Sequence, residues 1–197
     1  MKKRTVQIMR KTKETAIRLS WNLDGKGSYK IRTGIPFLDH MLELFSKHSG
    51  FDIALDARGD LAVDDHHTVE DIGLCFGKAL NQALGKREGI ARFGHAFVPM
   101  DEALAFCAVD LGGRPYLVYR VEAPSTKIKT FDTVLIEHFL EAFVNQGRFN
   151  LHAELRYGKN PHHIFEGVFK AMARALRMAV HREEGQRGVP STKGSLG

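Results

Sequence analysis

The chain has 197 residues, 43% hydrophobic and 26% charged, with 29 Lys plus Arg against 23 Asp plus Glu and a formal net charge of +6. These proportions are those of an ordinary soluble globular protein and argue against a disordered, collagenous or membrane-spanning chain, since the longest apolar run, 103–109, is far too short to cross a bilayer. Cys75 and Cys107 lie in apolar surroundings without CxxC spacing, which disfavours a disulfide framework or a thiolate zinc site.

The basic start Met1-Lys2-Lys3-Arg4 is followed by polar alternation instead of an apolar segment, so no signal peptide and a cytoplasmic location are expected. Alternation of Ala16, Arg18 and Ser20 with Ile17, Leu19 and Trp21 predicts a half-buried strand, closed by a turn at Asp24-Gly25. Residues 37–47 carry apolar side chains at helical spacing, ended by Gly50, and 51–57 alternate again as a strand. Asp64 is the expected N-cap of a helix over about 65–84, stopped by Gly85. The second half repeats the plan, with strands at 103–110 and 116–122, a helix at 130–145, a strand at 149–157 and a last helix from Pro161, for which Asn160 as N-cap and Pro161 at the first helical position are a start signal. The tail over 185–197 has no periodicity and reads as loop.

These elements describe two copies of one unit. Asp64-Asp65-His66-His67-Thr68-Val69-Glu70 lies over Asn160-Pro161-His162-His163-Ile164-Phe165-Glu166 with both histidines and the glutamate matched. Phe37-Leu38-Asp39-His40-Met41 likewise resembles Leu135-Ile136-Glu137-His138-Phe139, and Glu14 aligns with Glu102. Each half reads as strand, strand, strand, helix, strand, helix. One such unit leaves an apolar face uncovered, so two copies packed about a pseudo-twofold axis form an α+β body of two sheets packed with helices, with a first repeat over 1–90 and a second over 91–184.

The repeated histidines point to metal. Residues four apart share a helix face while neighbours are rotated by about 100°, so His66 and Glu70 can converge on one ion while His67 points elsewhere, and His162, Glu166 and His163 repeat the pattern. The expected ligand sets are His66, Glu70, His138 and His163 for one ion, and His162, Glu166, His40 and His67 for the other, from one chain or from neighbouring chains. Imidazole and carboxylate without thiolate suit Zn, Mn, Fe, Co or Ni and leave open positions in an octahedral site. His48, His95, His152 and His181 have no histidine repeat partner and are expected in structural or surface roles.

The basic balance favours anionic partners. Its residues are scattered and carry neither an RNP-like aromatic pattern nor a helix-turn-helix signature, so a phosphorylated small molecule is expected rather than nucleic acid. A metal-dependent hydrolase, a non-catalytic assembly cemented by metal and a nucleic-acid binder remain competing readings of these features.

Five segments together resemble the imidazoleglycerol-phosphate dehydratase family over essentially the whole chain: Thr33-Gly34-Ile35-Pro36-Phe37-Leu38-Asp39-His40-Met41, Asp65-His66-His67-Thr68-Val69-Glu70-Asp71, Asp110-Leu111-Gly112-Gly113-Arg114-Pro115-Tyr116, Gly158-Lys159-Asn160-Pro161-His162-His163 and Pro190-Ser191-Thr192-Lys193-Gly194. The resemblance implies a duplicated ribosomal-S5-domain-2-like fold, two Mn²⁺ ions per active site, and a homo-oligomer of 24 subunits with sites between them. It implies loss of water from imidazole glycerol phosphate to give imidazole acetol phosphate in histidine biosynthesis, a carbon-oxygen lyase step. Such a step requires an electron-rich azole to expel hydroxide and a positioned carboxylate to move the carbon-bound proton. By the same resemblance Glu14 is the acid/base and a substrate contact, with Asp101 and Glu166 as further catalytic groups. Arg92, Arg114, Lys170, Ser191, Thr192 and Lys193 match positions that hold the substrate, the basic ones as charge-assisted donors to its phosphate. Leu111-Gly112-Gly113-Arg114 follows a strand but precedes no helix, and so reads as a hairpin turn that places Arg114 instead of a dinucleotide fingerprint.

Overall fold

The computed structural model describes residues 4–186, 188–194 and 196. The basic start before Arg4 and residues 187, 195 and 197 of the expected tail lie outside the described residues.

Burial with a period of two organises the first half. Thr15–Asn22 buries Thr15, Ile17, Leu19 and Trp21 and turns the alternate residues outward, which makes it the half-buried strand β2. It pairs antiparallel with β1 (Thr5–Lys11) on one side and β4 (Asp52–Gly59) on the other. β3 (Tyr29–Arg32) joins the far edge of β4 in parallel, giving the order β1-β2-β4-β3. A parallel pair needs a crossover, and α1 (Pro36–Ser49) supplies it. α2 (His66–Leu84) then packs back over β1, β2 and β4.

The second half repeats this order. β5 (Phe93–Met100), β6 (Ala103–Asp110), β7 (Tyr116–Arg120) and β10 (Asn150–Tyr157) form a sheet ordered β5-β6-β10-β7, with α3 (Val134–Gly147) as its crossover and α4 (Pro161–Ala179) covering it. The duplicated strand-strand-strand-helix-strand-helix plan is therefore present in both halves. A two-stranded hairpin, β8 (Lys127–Ile128) and β9 (Phe131–Asp132), is inserted before α3.

That insert corrects the sequence reading. The helix expected from residue 130 begins at Val134, because Phe131 is buried and paired in β9 while the Thr133 amide donates to Thr126 at 2.9 Å. It runs on to Gly147 and ends at Arg148, which takes the left-handed conformation at φ 52°. The strand expected over 116–122 stops at Arg120. β1, β3 and β5 received no bounds from pattern alone, and burial shows why: β1 and β3 are edge strands with one well-buried side chain each, Ile8 or Ile31, and β5, also at an edge, turns only Gly94, Ala96 and Val98 inward.

The helices lie between the two sheets, α2 against α3 and α1 against α4. Trp21 is fully buried where the halves meet, its ring centroid 5.9 Å from Phe45, 5.1 Å from Phe76 and 6.1 Å from Phe143. The approach of α2 to α3 depends on two glycines. A Cβ on Gly73 would lie 2.6 Å from the Phe139 carbonyl oxygen, and one on Gly77 would lie 2.5 Å from that of Phe143. Cys75 and Cys107 are buried free thiols, and burial pushes the Cys75 pKa up to about 11. Among the described residues no helix is long and apolar enough to cross a membrane.

Candidate metal centre

Local capping places both histidine pairs in the first turn of a helix. The Asn160 side chain accepts the His162 amide at 3.0 Å, with Pro161 opening α4. In the first repeat the Asp64 carboxylate accepts the His66 amide at 2.9 Å, while Asp65, the residue directly before α2, already has helical dihedrals. α1 is held at its start by Asp39, whose carboxylate accepts the Thr33 amide at 2.8 Å and the Thr33 hydroxyl at 2.7 Å. His40 follows directly.

Packing of α1 on α4 brings His40, His162 and Glu166 together. Their donor atoms all lie within 4.8 Å of one another, and among the described residues this is the one such His/Cys/Asp/Glu group of three. The same Glu166 oxygen, Oε2, is 3.3 Å from His162 Nε2 and 3.5 Å from His40 Nε2. The other oxygen accepts from the Lys170 ammonium one turn along. Burial by itself pushes the Glu166 pKa up, but the hydrogen bond and charge of Lys170, with His40 and His162, bring it below the ordinary value. The carboxylate therefore stays ionised and available as an acceptor or ligand.

Packing of α2 on α3 produces the pseudo-equivalent cluster. The His66 and His138 rings lie 4.9 Å apart, and Glu70 Oε2 is 3.8 Å from His66 Nε2. This group is looser, since the Glu70 side chain is 49% exposed against 10% for Glu166.

The second histidine of each pair turns away, with its ring at 89° or 90° to its neighbour. His67 places Nδ1 3.0 Å from Asp60, and His163 places Nδ1 2.7 Å from Glu102. Within one chain, the contacts of His163 are thus with Glu102, Asp101 and Asn160, and that of His67 is with Asp60; neither joins the cluster in the set expected for it.

The remaining expected residues divide into free and committed groups. Glu102 also accepts the Lys159 amide at 3.1 Å and the Asn160 amide at 2.7 Å. Its pKa is lowered to about 2, first by His163 and then by these amides. Glu14, at the matching turn between β1 and β2, makes no carboxylate hydrogen bond or ion pair among the described residues; its amide donates to Thr12. Asp101 is exposed in the left-handed conformation, 3.8 Å from His163 Nε2.

Arg92, Arg114, Ser191, Thr192 and Lys193 line one open cavity of about 770 Å³. Arg92 is braced there: it donates to both Asp110 oxygens at 2.7 and 3.0 Å and to the Pro190 carbonyl at 2.9 Å. Gly113, at φ 87°, makes the turn before Arg114. Lys170 is not among the residues lining this cavity; its ammonium is held by Glu166 one turn earlier on α4. Sequence reasoning passed over Asp60, which has no carboxylate counterpart in the second repeat, and the chain from buried Thr15 and Asp71 to half-exposed Arg10 that ties α2 to β1 and β2.

A family model described as imidazoleglycerol-phosphate dehydratase matches residues 33–176. The chain is 57% identical over 193 residues to the imidazoleglycerol-phosphate dehydratase of Desulforudis audaxviator, covering 98% of each chain, and 54% identical over 196 residues to that of Pelotomaculum thermopropionicum, covering 100% of each. Its fold is similar to the crystal structure of the Staphylococcus aureus N315 enzyme of that name, with a TM-score of 0.83 at 38% identity over 91% of this chain and 99% of that one. The Pyrococcus furiosus enzyme in complex with (S)-C348 gives a TM-score of 0.83 at 36% identity over 96% and 100%.

Proposed function

The chain belongs to the imidazoleglycerol-phosphate dehydratase family, and we propose that the two histidine clusters are where it removes water from imidazole glycerol phosphate. It is a hydro-lyase of histidine biosynthesis. The observation that carries the site assignment is the convergence of His40, His162 and Glu166 from opposite halves of the chain, echoed by His66, Glu70 and His138.

The donor chemistry fits a divalent metal, since imidazole and carboxylate ligands are gathered without a thiolate. We assign two Mn²⁺ ions per active site, with His40, His162 and Glu166 holding one and His66, Glu70 and His138 the other. His67 and His163 are the fourth ligands, supplied to the clusters of neighbouring copies in a 24-subunit assembly. The support is that each cluster has three donors in one chain while Nδ1 of each turned histidine is held by a carboxylate, which directs Nε2 to the ligand role. Bound there, the ions would polarise the azole and favour its electron-rich form.

The protein's own groups supply the rest. Arg92, Arg114, Ser191, Thr192 and Lys193 hold the phosphate in their cavity, with Arg92 oriented by Asp110. Glu14, the uncommitted carboxylate, takes the carbon-bound proton and returns one as hydroxide leaves as water. Asp101 assists beside His163, and Lys170 both keeps Glu166 ionised and contacts the substrate. We place the enzyme in the cytoplasm with its charged, phosphorylated substrate.

The test is turnover of imidazole glycerol phosphate by Mn²⁺-loaded protein, with Glu14→Gln as the control. The expected result is dehydration by wild type, its loss in the variant, and equal metal content in both. Metal uptake with no turnover by wild type would overturn the reading.

A further inference from the structure

The two halves use corresponding glutamates differently. Glu14 and Glu102 both stand in the turn between the first two strands of a repeat. Glu102 is spent locally: it accepts from two backbone amides ahead of α4 and holds Nδ1 of His163. Glu14 does none of this, and its carboxylate makes no hydrogen bond or ion pair among the described residues. What separates the halves is a third carboxylate. At the exit from β4, Asp60 takes Nδ1 of His67 at 3.0 Å, whereas the exit from β10, Gly158-Lys159-Asn160, offers no carboxylate.

We propose that Asp60 is the positioning residue of the first repeat: by holding Nδ1 of His67 it fixes the ring's tautomer and leaves Glu14 unengaged for proton transfer. A carboxylate on Nδ1 holds the imidazole proton there and leaves the Nε2 lone pair free, the form required of a ligand nitrogen. Without Asp60, His67 would turn to another carboxylate able to do the same job. Glu14 is that group by analogy, since it occupies in the first repeat the turn from which Glu102 holds His163 in the second. Asp60 would thus have allowed one duplicated glutamate to diverge toward chemistry while its twin kept a structural task. The division of labour rests on the dehydratase reading of Glu14; the tautomer assignment does not.

The test uses the full-length protein as wild type, Asp60→Ala and Asp60→Glu. Solid-state ¹⁵N NMR of histidine-labelled, metal-free protein reads the tautomer, with the His67 signals identified by their loss in His67→Gln. Wild type is expected to show His67 protonated on Nδ1. Asp60→Ala should give mixed tautomers and a Mn²⁺ affinity lowered about 10–100-fold, the usual range for losing such a partner. Its kcat should fall more than KM rises, as Glu14 is drawn onto His67, and Asp60→Glu should restore all three readings. A wild-type His67 protonated on Nε2, or an Asp60→Ala variant with unchanged tautomer and Mn²⁺ affinity, would overturn the proposal. If Asp60→Ala fails to assemble, the wild-type tautomer and the Asp60→Glu protein still decide it. Absence of turnover by wild type would remove the role of Glu14 and leave the tautomer and affinity arms to judge Asp60.

Discussion

His40 and His162 lie with ring centroids 5.4 Å apart, one from the first helix of the chain and the other from its last. Both direct Nε2 at one Glu166 oxygen, so removing either imidazole takes away a donor that nothing local replaces. His40→Ala and His162→Ala are each expected to lose at least half of the bound metal by elemental analysis. A ligand present at 100 times its Kd stabilises the folded state by about 2.7 kcal/mol. EDTA should therefore lower the Tm of wild type by several degrees, and that of His162→Ala by clearly less.

Gly77→Ala tests whether the α2–α3 approach is what gathers His66 and His138. The added methyl would meet the Phe143 carbonyl oxygen at 2.5 Å and the Gln146 Cβ at 2.6 Å, so the helices must separate. Overpacking of this kind costs about 1–3 kcal/mol. A lower urea midpoint is expected together with weaker Mn²⁺ binding, although residue 77 lies about three helical turns along α2 from His66. Unchanged metal affinity alongside reduced stability would separate the two effects.

Arg92→Ala removes a guanidinium that braces Asp110 and the Pro190 carbonyl. Charge-assisted hydrogen bonds contribute about 1.5–3 kcal/mol each. A rise in KM of tenfold or more is expected, with a smaller change in kcat. The segment around Pro190 should also become more susceptible to limited proteolysis.

Asp52 gives the acid side of the stability profile. Its carboxylate accepts the Lys26 amide at 2.8 Å, the Ser28 amide at 3.0 Å and the Asn22 side chain at 3.2 Å. The Lys26 and Ser28 amides lower its pKa from 3.8. Because the folded value is below the unfolded one, the stabilisation is fully present above the unfolded value and is lost as pH falls through the folded one. Asp52→Ala should cost about 1–3 kcal/mol near neutral pH. The gap to wild type should narrow below about pH 4 in denaturant titrations at a series of pH values.

Much of the fold was legible in local pattern. Alternation of residue type marked β2 and β4, and the caps at Asp64 and Asn160 marked where the histidine pairs begin. The pairing of His66 with Glu70 and of His162 with Glu166 follows from helical geometry alone. The edge strands β1 and β3 and the β8–β9 hairpin were less visible, because a short or mostly exposed strand carries little alternation and is specified by the neighbour it pairs with.

The sequence by itself determined the duplicated plan, the starts of α2 and α4 and the donor types, since each depends on propensity, capping or spacing within one element. Only the tertiary structure decided the commitments between elements: His40 brought from α1 to Glu166, Glu102 spent on His163, Asp60 placed on His67, and Arg92 braced between Asp110 and Pro190. Which carboxylate reaches which cation or imidazole is set by how closely helices and turns pack. A glycine at 77 or an aspartate at 60 reveals that role only once its neighbours in space are known.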